Sequence, residues 1–492
     1  MKIVCAFVLG VMSIWVPLSA AERKEPTVEV NRKDDGYRGI WYFNQPSNDE
    51  YVYKYSGGLG TYCAHHQPFA VHSAHAEKTF FCYGGTTKDS FQHLVHMVSF
   101  YDHKAGTVPR PTIVVDKNTE DAHDNPVISM DDRGYIWIFS TSHGRSRPSF
   151  LHRSKKPYDI EQFERINAVR MEDGKPQPLD NFSYFQAWYV PNRGFVCPFT
   201  RYSFPADRTS CFISSLDGVT WSNWQRLAAI QKGHYQVSAV GRGKVGAASN
   251  FHPAPQGLNW RTNLYYMESA DWGQTWTAAD GTTLTLPLTE VKNPALVHDW
   301  QSEGLKVYIM DLVYDSDDRP VVLLITSKGY ESGPANGPRT WTVCRWTGTQ
   351  WERNAITTSG NNYDMGSLYL EADGTWRLIG PTQLGPQPFN PGGEVAMWTS
   401  NDQGRTWKMA RQLTSGSQRN HTYVRRPVHA HPDFYALWAD GHARKPSESR
   451  LYFCNKAGDV FVLPAQMEAD SAKPERFLTE PPVNRPVKET NR

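Results

Sequence analysis

The chain repeats one short pattern three times: Ser215-Leu-Asp217-Gly218-Val-Thr220-Trp221, Ser269-Ala-Asp271-Trp-Gly273-Gln-Thr275-Trp276 and Ser400-Asn-Asp402-Gln-Gly404-Arg-Thr406-Trp407. Ser and Asp oxygens can accept hydrogen bonds from nearby backbone in a tight turn, and Gly supplies the positive φ such a turn needs. Thr and Trp then open a strand, with the indole buried between neighbouring sheets. One copy would mean little, because Asp-Gly turns are common. Three copies in the same order predict a radial array of small sheets, a β-propeller. The motif fixes architecture, so Asp217, Asp271 and Asp402 are read as turn residues and not as catalytic ones.

The rest of the chain agrees. Short segments rich in β-branched and aromatic residues recur, such as Thr79–Tyr83, Tyr135–Phe139, Phe195–Phe199 and Pro320–Thr326, each bounded by turn formers. Weaker echoes of the repeat stand at Ser129–Gly134 and Glu371–Trp376, and no long amphipathic helix is legible. Ser215 and Ser269 are 54 residues apart, and at that interval a folded span of 36–465 gives seven or eight blades. The expected fold is therefore all-β, a seven-bladed propeller forming one domain.

Both ends read differently. Lys2, the apolar run Ile3–Leu18 and the small residues Ser19-Ala20-Ala21 are expected to form a signal peptide over 1–21, giving a secreted or periplasmic protein with no remaining membrane segment. Residues 472–492, rich in Pro and charge, are expected to be a disordered tail. The 52 basic residues nearly balance the 50 acidic ones, so the composition argues against a nucleic-acid partner. A monomer is expected. Six cysteines follow the leader: Cys63, Cys82, Cys197, Cys211, Cys344 and Cys454. None forms a C-x-x-C pair, so buried thiols are the plain reading. Export would permit a disulfide between Cys197 and Cys211.

Function in a propeller sits on loops at one mouth of the channel, so polar clusters outside the repeats matter most. Asp121-Ala-His123-Asp124-Asn125-Pro126 precedes one strand, and Ser142-His143-Gly144-Arg145-Ser-Arg147-Pro148 follows its return partner. One hairpin would place His123 and His143 at neighbouring edges; a chance pair of surface histidines is the alternative. Next come Tyr184 and Tyr189 in Phe182–Tyr189, then Arg201 in Thr200-Arg201-Tyr202, then Tyr235 in Gly233–Gln236. An Arg among aromatics suits a carboxylate ligand, or a structural ion pair. Two His, a Tyr and an Arg are the groups that β-elimination from a uronic acid requires. The C5 proton is acidic enough only when the carboxylate charge is neutralised, and a base and an acid must then act at C5 and O4.

With those residues in hand, the chain resembles the propeller polysaccharide lyases, namely the ulvan lyases and the related rhamnose–glucuronate lyases acting on plant gums. They belong to the bacterial neuraminidase repeat (Asp-box) superfamily. The resemblance runs from about Tyr37 to Phe461 through Thr79–Gly85, Asp121–Pro126, Thr200–Tyr202, His234–Gln236, Asn362–Ser367, Gly392–Glu394 and Asn420–Pro427. It implies cleavage of a rhamnosyl-α-1,4-glucuronate linkage in a uronic-acid-containing glycan, with no cofactor needed for the chemistry. Carried over, the active-site histidines are His123 and His143, the neutralising Arg is Arg201, and the catalytic Tyr is Tyr184. Tyr189 lies close by in sequence, Tyr235 is a second candidate, and Arg145 suits an anionic substrate. The family pattern has Pro where this chain has Phe185 and Ala187.

Three rivals share the scaffold. A propeller rhamnosidase would use a different pocket, for which His65 and His66 in the first blade are candidates. A sialidase would need an early Arg-Ile-Pro, whereas Tyr37-Arg38-Gly39-Ile40-Trp41 lacks the Pro. A non-catalytic carbohydrate-binding propeller would use the aromatics alone. A structural divalent metal is also open, since His429, His431, Asp440 and His442 lie within fourteen residues; histidines that merely line the channel are the plainer reading.

Overall fold

The computed structural model describes residues 28–60, 65–145 and 147–478. The expected signal peptide, Cys63 and the last fourteen residues lie outside that range. Among the described residues the only helices are two short 3-10 turns, Gly257–Trp260 and Pro334–Asn336. The rest is strand and turn, arranged as a β-propeller.

Seven sheets have four or five strands, and each is an antiparallel meander. The second, for example, runs Pro126–Met130, Ile136–Ser140, Phe150–Ser154 and Phe163–Ile166. The third runs Trp188–Val190, Gly194–Tyr202, Arg208–Ser215 and Gln225–Ala228. An additional three-stranded sheet joins the hairpin Val169–Glu172 and Lys175–Pro178 to Thr220–Trp221 of the first repeat. The blade count is therefore eight, not the expected seven. The extra sheet was missed because its hairpin lies in what reads as a connecting loop, with Pro176 and Pro178 on an edge strand.

The repeats form the turns foreseen. The Asp271 carboxylate accepts from Thr275 N–H at 2.8 Å and from Thr275 Oγ1 at 2.7 Å, while Ser269 Oγ accepts from Gly273 N–H at 2.7 Å. Asp402 and Ser400 repeat the pattern with Thr406 and Gly404. Gly218 carries a φ of 74°, and a Cβ there would lie 2.4 Å from the Trp137 ring. The glycines at 218 and 273 thus let their boxes press against the preceding blade, where Trp137 and Phe212 stand. Trp137, Trp221, Trp276, Trp341 and Trp438 are each less than 2% exposed and fill the spaces between sheets.

The ring closes between first and last blades. Inner strands Ala70–Ser73 and Asn420–Arg425 belong to these blades, and Val428 N–H donates to Ala70 O at 2.8 Å while His72 N–H donates to Val428 O at 2.9 Å. The tail expected to lack structure from 472 is ordered as far as 478: Ser471–Ala472 pairs with Val108–Pro109, and Glu475–Arg476 pairs with Phe461 and Val462. Cys197, Cys211, Cys344 and Cys454 are buried free thiols. Cys197 pairs across the ladder with Ile213, not Cys211, so the disulfide that export would permit is out of register and the plain reading of buried thiols stands.

Because the inner strands all start on one side, the connections leading into them collect at one mouth of the channel, here called the front. Turns between first and second strands, and the Asp boxes between third and fourth, collect at the back.

Candidate active site

At the front, Asp121 ties together the two loops of the second blade. Its Oδ1 accepts from His123 Nδ1 at 2.6 Å, and its Oδ2 from His143 Nδ1 at 2.7 Å and from Arg147 at 3.0 Å. The two imidazoles stack with centroids 3.9 Å apart. An ionised carboxylate only accepts, so both Nδ1 atoms carry the proton and both Nε2 atoms present lone pairs. Arg147 also grips Asp124 at 2.7 and 3.1 Å, which locks the loop. Burial alone would raise the Asp121 pKa, but hydrogen bonds from His123 and His143 outweigh it and hold the group well below the ordinary range. Burial pushes the His123 pKa down against the opposing pull of Asp121. The side chain of His123 is 4% exposed and that of His143 31%, so His143 is the imidazole a substrate can reach. The donor atoms of Asp121, His123 and His143 lie within 4.8 Å of one another, close enough to hold a cation, but both Nδ1 atoms are already committed to the carboxylate.

Facing this triad stands a wall of phenols from the next two blades. Tyr202 OH donates to Tyr184 OH at 3.1 Å. The ring of Tyr184 lies 6.5 Å from His123, and that of Tyr202 5.8 Å from His143. Tyr235 packs edge-on to Tyr184 at 5.3 Å. Tyr184 itself has φ of 48°, an uncommon backbone state for an aromatic residue of the kind that gathers at functional sites. Burial pushes the Tyr202 pKa up to about 12, against the pull of Arg208, so this phenol keeps its proton at neutral pH.

Arg208 completes the wall. Its guanidinium lies 4.9 Å from the Tyr202 ring centre and 5.6 Å from that of Tyr235, and its buried Nε has no hydrogen-bond partner among the described residues. Burial disfavours its charge, but the phenolic oxygens of Tyr235, Tyr202 and Tyr184 outweigh that and raise its pKa. Lys54 is buried close by, and desolvation together with repulsion from Arg261 and Arg208 lowers its pKa to about 6. Lys54 Nζ is satisfied by Gln45 and Asn259, whereas a charged guanidinium with a buried Nε short of a partner is costly unless an anion arrives to share its hydrogen bonds. The front mouth is thus built to receive negative charge.

Of the residues expected from sequence, His123, His143, Tyr184 and Tyr235 converge here. Arg201 does not. It stacks between Phe204 and Trp224, 4.5 Å from each ring, on the opposite face of its strand. Successive strand residues point to opposite faces, so Tyr202 and Arg201 cannot both face the triad. Arg208 is the ladder partner of Tyr202, which puts it on the correct face. Tyr189, at the far end of its strand, lines a cavity of about 940 Å³ at the back mouth with Trp188 and Tyr314. Arg145 is exposed on the His143 loop. His65 and His66 are buried against the same phenols: His65 stacks on Tyr235 at 4.5 Å, and His66 lies 5.0 Å from Tyr184. They back this site and do not form a second one.

A family model described as BNR repeat-containing family member matches residues 96–359. The chain belongs to this BNR repeat-containing family. Among curated relatives, this BNR-family chain is 24% identical over 417 residues to the ulvan lyase of Nonlabens ulvanivorans, covering 75% of this chain and 81% of that one. It is 24% identical over 272 residues to Ulvan Lyase-PL25 of Pseudoalteromonas sp. (strain PLSV), covering 47% and 51%. Among solved structures, the PL25 ulvan lyase bound to -[GlcA(1-4)Rha3S]- superposes with a TM-score of 0.65 at 16% identity, covering 87% of this chain and 96% of that one. Polysaccharide lyase Uly1 gives 0.60 at 11% identity, covering 88% and 99%. These structures share the fold.

Proposed function

We propose that this protein is a polysaccharide lyase that cleaves rhamnosyl-α-1,4-glucuronate linkages, as found in ulvan-type and gum-type glycans, by β-elimination. The observation that carries the reading is the half-buried Arg208, set among phenols with its Nε lacking a hydrogen-bond partner among the described residues, and facing the Asp121-tethered histidine pair. The likeness to ulvan lyases supports the choice of glycan. In this mechanism Arg208 takes the uronate carboxylate and stabilises the charge that builds on it as C5 loses its proton. His143 Nε2 accepts that proton, with Asp121 fixing the tautomer and offsetting the new positive charge. The electron pair forms the C4–C5 double bond as the C4–O4 bond breaks. Tyr184, hydrogen-bonded to Tyr202, gives its proton to the departing oxygen. Every step is performed by side chains of this chain.

The test is ultraviolet absorbance of the unsaturated uronate during incubation with ulvan and, separately, with a rhamnose-capped gum side chain. A rising signal is expected, and the faster substrate names the glycan. Release of free rhamnose without absorbance would mean hydrolysis, and binding without either product would mean a binding module. We also propose export through the leader over 1–21, which N-terminal sequencing of the mature protein checks.

A further inference from the structure

The back face carries a second histidine cluster that the chemistry above leaves unused. His103 follows the third strand of the first blade, Ser90–Asp102, while His431 and Asp433 lie in the first turn of the last blade. The imidazoles of His103 and His431 have centroids 3.8 Å apart. The Asp433 carboxylate lies 4.0 Å from His103 Nδ1 and 3.7 Å from His431 Nδ1, and Asp433 N–H donates to His431 Nδ1 at 3.1 Å, a main-chain bond that a metal at that nitrogen would replace. One ligand atom from each of the three residues falls within 4.8 Å of the others. A third ring, His72, stands 5.3 Å from His103 and 4.9 Å from His431.

The hydrogen bonding of His103 is what points to a ligand. Its Nε2 is held by Thr79 Oγ1 at 2.8 Å, whereas its Nδ1 is buried without a hydrogen-bond partner among the described residues, in a side chain only 6% exposed. Buried polar atoms are nearly always satisfied, so an orphaned imidazole nitrogen aimed at a second imidazole and a carboxylate requires an explanation. A metal ion supplies one. A ligating histidine typically has its other ring nitrogen fixed by a hydrogen bond, as Thr79 does here. Tetrahedral zinc, with bonds of about 2.0–2.2 Å to nitrogen and oxygen, brings neighbouring ligand atoms to about 3.4 Å, which small side-chain rotations reach from the present separations.

We propose that His103, His431 and Asp433 bind a zinc-like divalent cation that staples the first blade to the last, with His72 beside it. The position suits that role. His72 N–H already donates to Val428 O across the closing seam, three residues before His431. A cation there would add a polar link between blades already joined by main-chain bonds at the channel and by packing of Phe81 and Tyr101 against Phe434 and Phe453. The quartet of His429, His431, Asp440 and His442 suggested by sequence is divided instead. Asp440 and His442 lie at the front, at the end of the second strand of the last blade, Ala436–Gly441, with Asp440 accepting from Arg450 N–H and Tyr452 OH, while His429 lines the back cavity.

The experiment uses the mature full-length protein, stripped with chelator and titrated with zinc and, for its visible spectrum, cobalt. Binding is expected, with tetrahedral cobalt absorbance and a melting temperature raised by several degrees. His431→Gln and Asp433→Asn should each weaken metal affinity by about 10-fold or more while leaving elimination intact. His143→Gln should keep the metal. Loss of the metal in His143→Gln with retention in His431→Gln would place the ion at the front triad and overturn the proposal, as would failure of the unaltered protein to bind either metal. Asp433 is 60% exposed in its side chain, so its Asn variant remains informative should His431→Gln fold poorly.

Discussion

The two faces of this propeller are built from the same residue types and put them to opposite uses. At the back, Asp271 and Asp402 each accept from the Ser hydroxyl two residues before and from the Thr hydroxyl and N–H four residues after, and nothing is left to react. At the front, Asp121 spends its oxygens on two imidazoles and an arginine, holding basic nitrogens toward a mouth that contains an under-bonded guanidinium. The difference is one of where hydrogen-bonding capacity is used up. Local satisfaction makes a turn; deferred satisfaction makes a site. By that criterion His103 stands apart from the boxes on the back face, because among the described residues its Nδ1, like Arg208 Nε, has no hydrogen-bond partner.

The comparison breaks most directly at His143. His143→Ala should lower kcat by about 10²–10⁴-fold, the range for a lost general base, with little change in melting temperature. Asp121→Asn should fall less far, because it acts through the imidazole and not on the substrate. It should also shift the acid limb of the pH–rate profile, which a purely structural residue would not move. Wild-type activity in His143→Ala would take that residue out of the site.

Arg208 sharpens the contrast with its near neighbour. Arg208→Ala should cost about 10²–10³-fold in kcat, as for other groups that stabilise developing charge. Arg201→Ala should leave kcat/KM close to that of the unaltered protein, since its guanidinium is stacked between Phe204 and Trp224 away from the triad. The reverse ranking, read from initial rates on one substrate, would restore the assignment implied by family resemblance.

That pair also shows what the sequence could and could not reveal. The Asp boxes were legible because every bond that shapes them closes within about five residues. His123 and His143 were legible because one hairpin joins their loops, so adjacency along the chain implies adjacency in space. Arg201 was misjudged by strand parity: Tyr202 and Arg208, ladder partners, share the face that Arg201 lacks. Lys54 and Arg261 reach the same mouth from the region before the first blade and from the fourth, and no local pattern announces them. The back-face cluster draws on His72 and His103 near one end and His431 near the other, united only by ring closure. Long-range contacts of this kind depend on blade order and count, and the count was itself misread by one small sheet.

A change at a box should reverse the pattern seen at the front. Gly218→Ala would place a Cβ 2.4 Å from the Trp137 ring at a positive φ, costing about 1–3 kcal/mol of stability by overpacking. Denaturant melts should show that loss while kcat stays unchanged. A fall in kcat at full occupancy of the folded state would mean that the boxes communicate with the front.

The smallest expected effect concerns histidines that never meet substrate. Burial pushes the His421 pKa down to about 3 and that of His234 to about 4. His421 Nδ1 accepts from Trp438 Nε1–H at 3.0 Å, and His234 Nε2 accepts from Ile230 N–H at 2.8 Å, so each uses a lone pair that protonation would destroy. Above the ordinary histidine pKa of about 6.5 both folded and unfolded states are neutral and these residues contribute no pH dependence. As the pH falls below that value, the unfolded chain takes up protons that the folded one refuses, so stability declines until the folded pKa is reached. Melting temperature should therefore fall steadily from about pH 6.5 toward pH 4. In His421→Gln the slope should be shallower by the share of one proton, a difference that proton uptake on unfolding measures directly. An unchanged slope would mean that His421 is already charged in the fold, and the division between scaffold histidines that stay neutral and site histidines that cycle would fail at that residue.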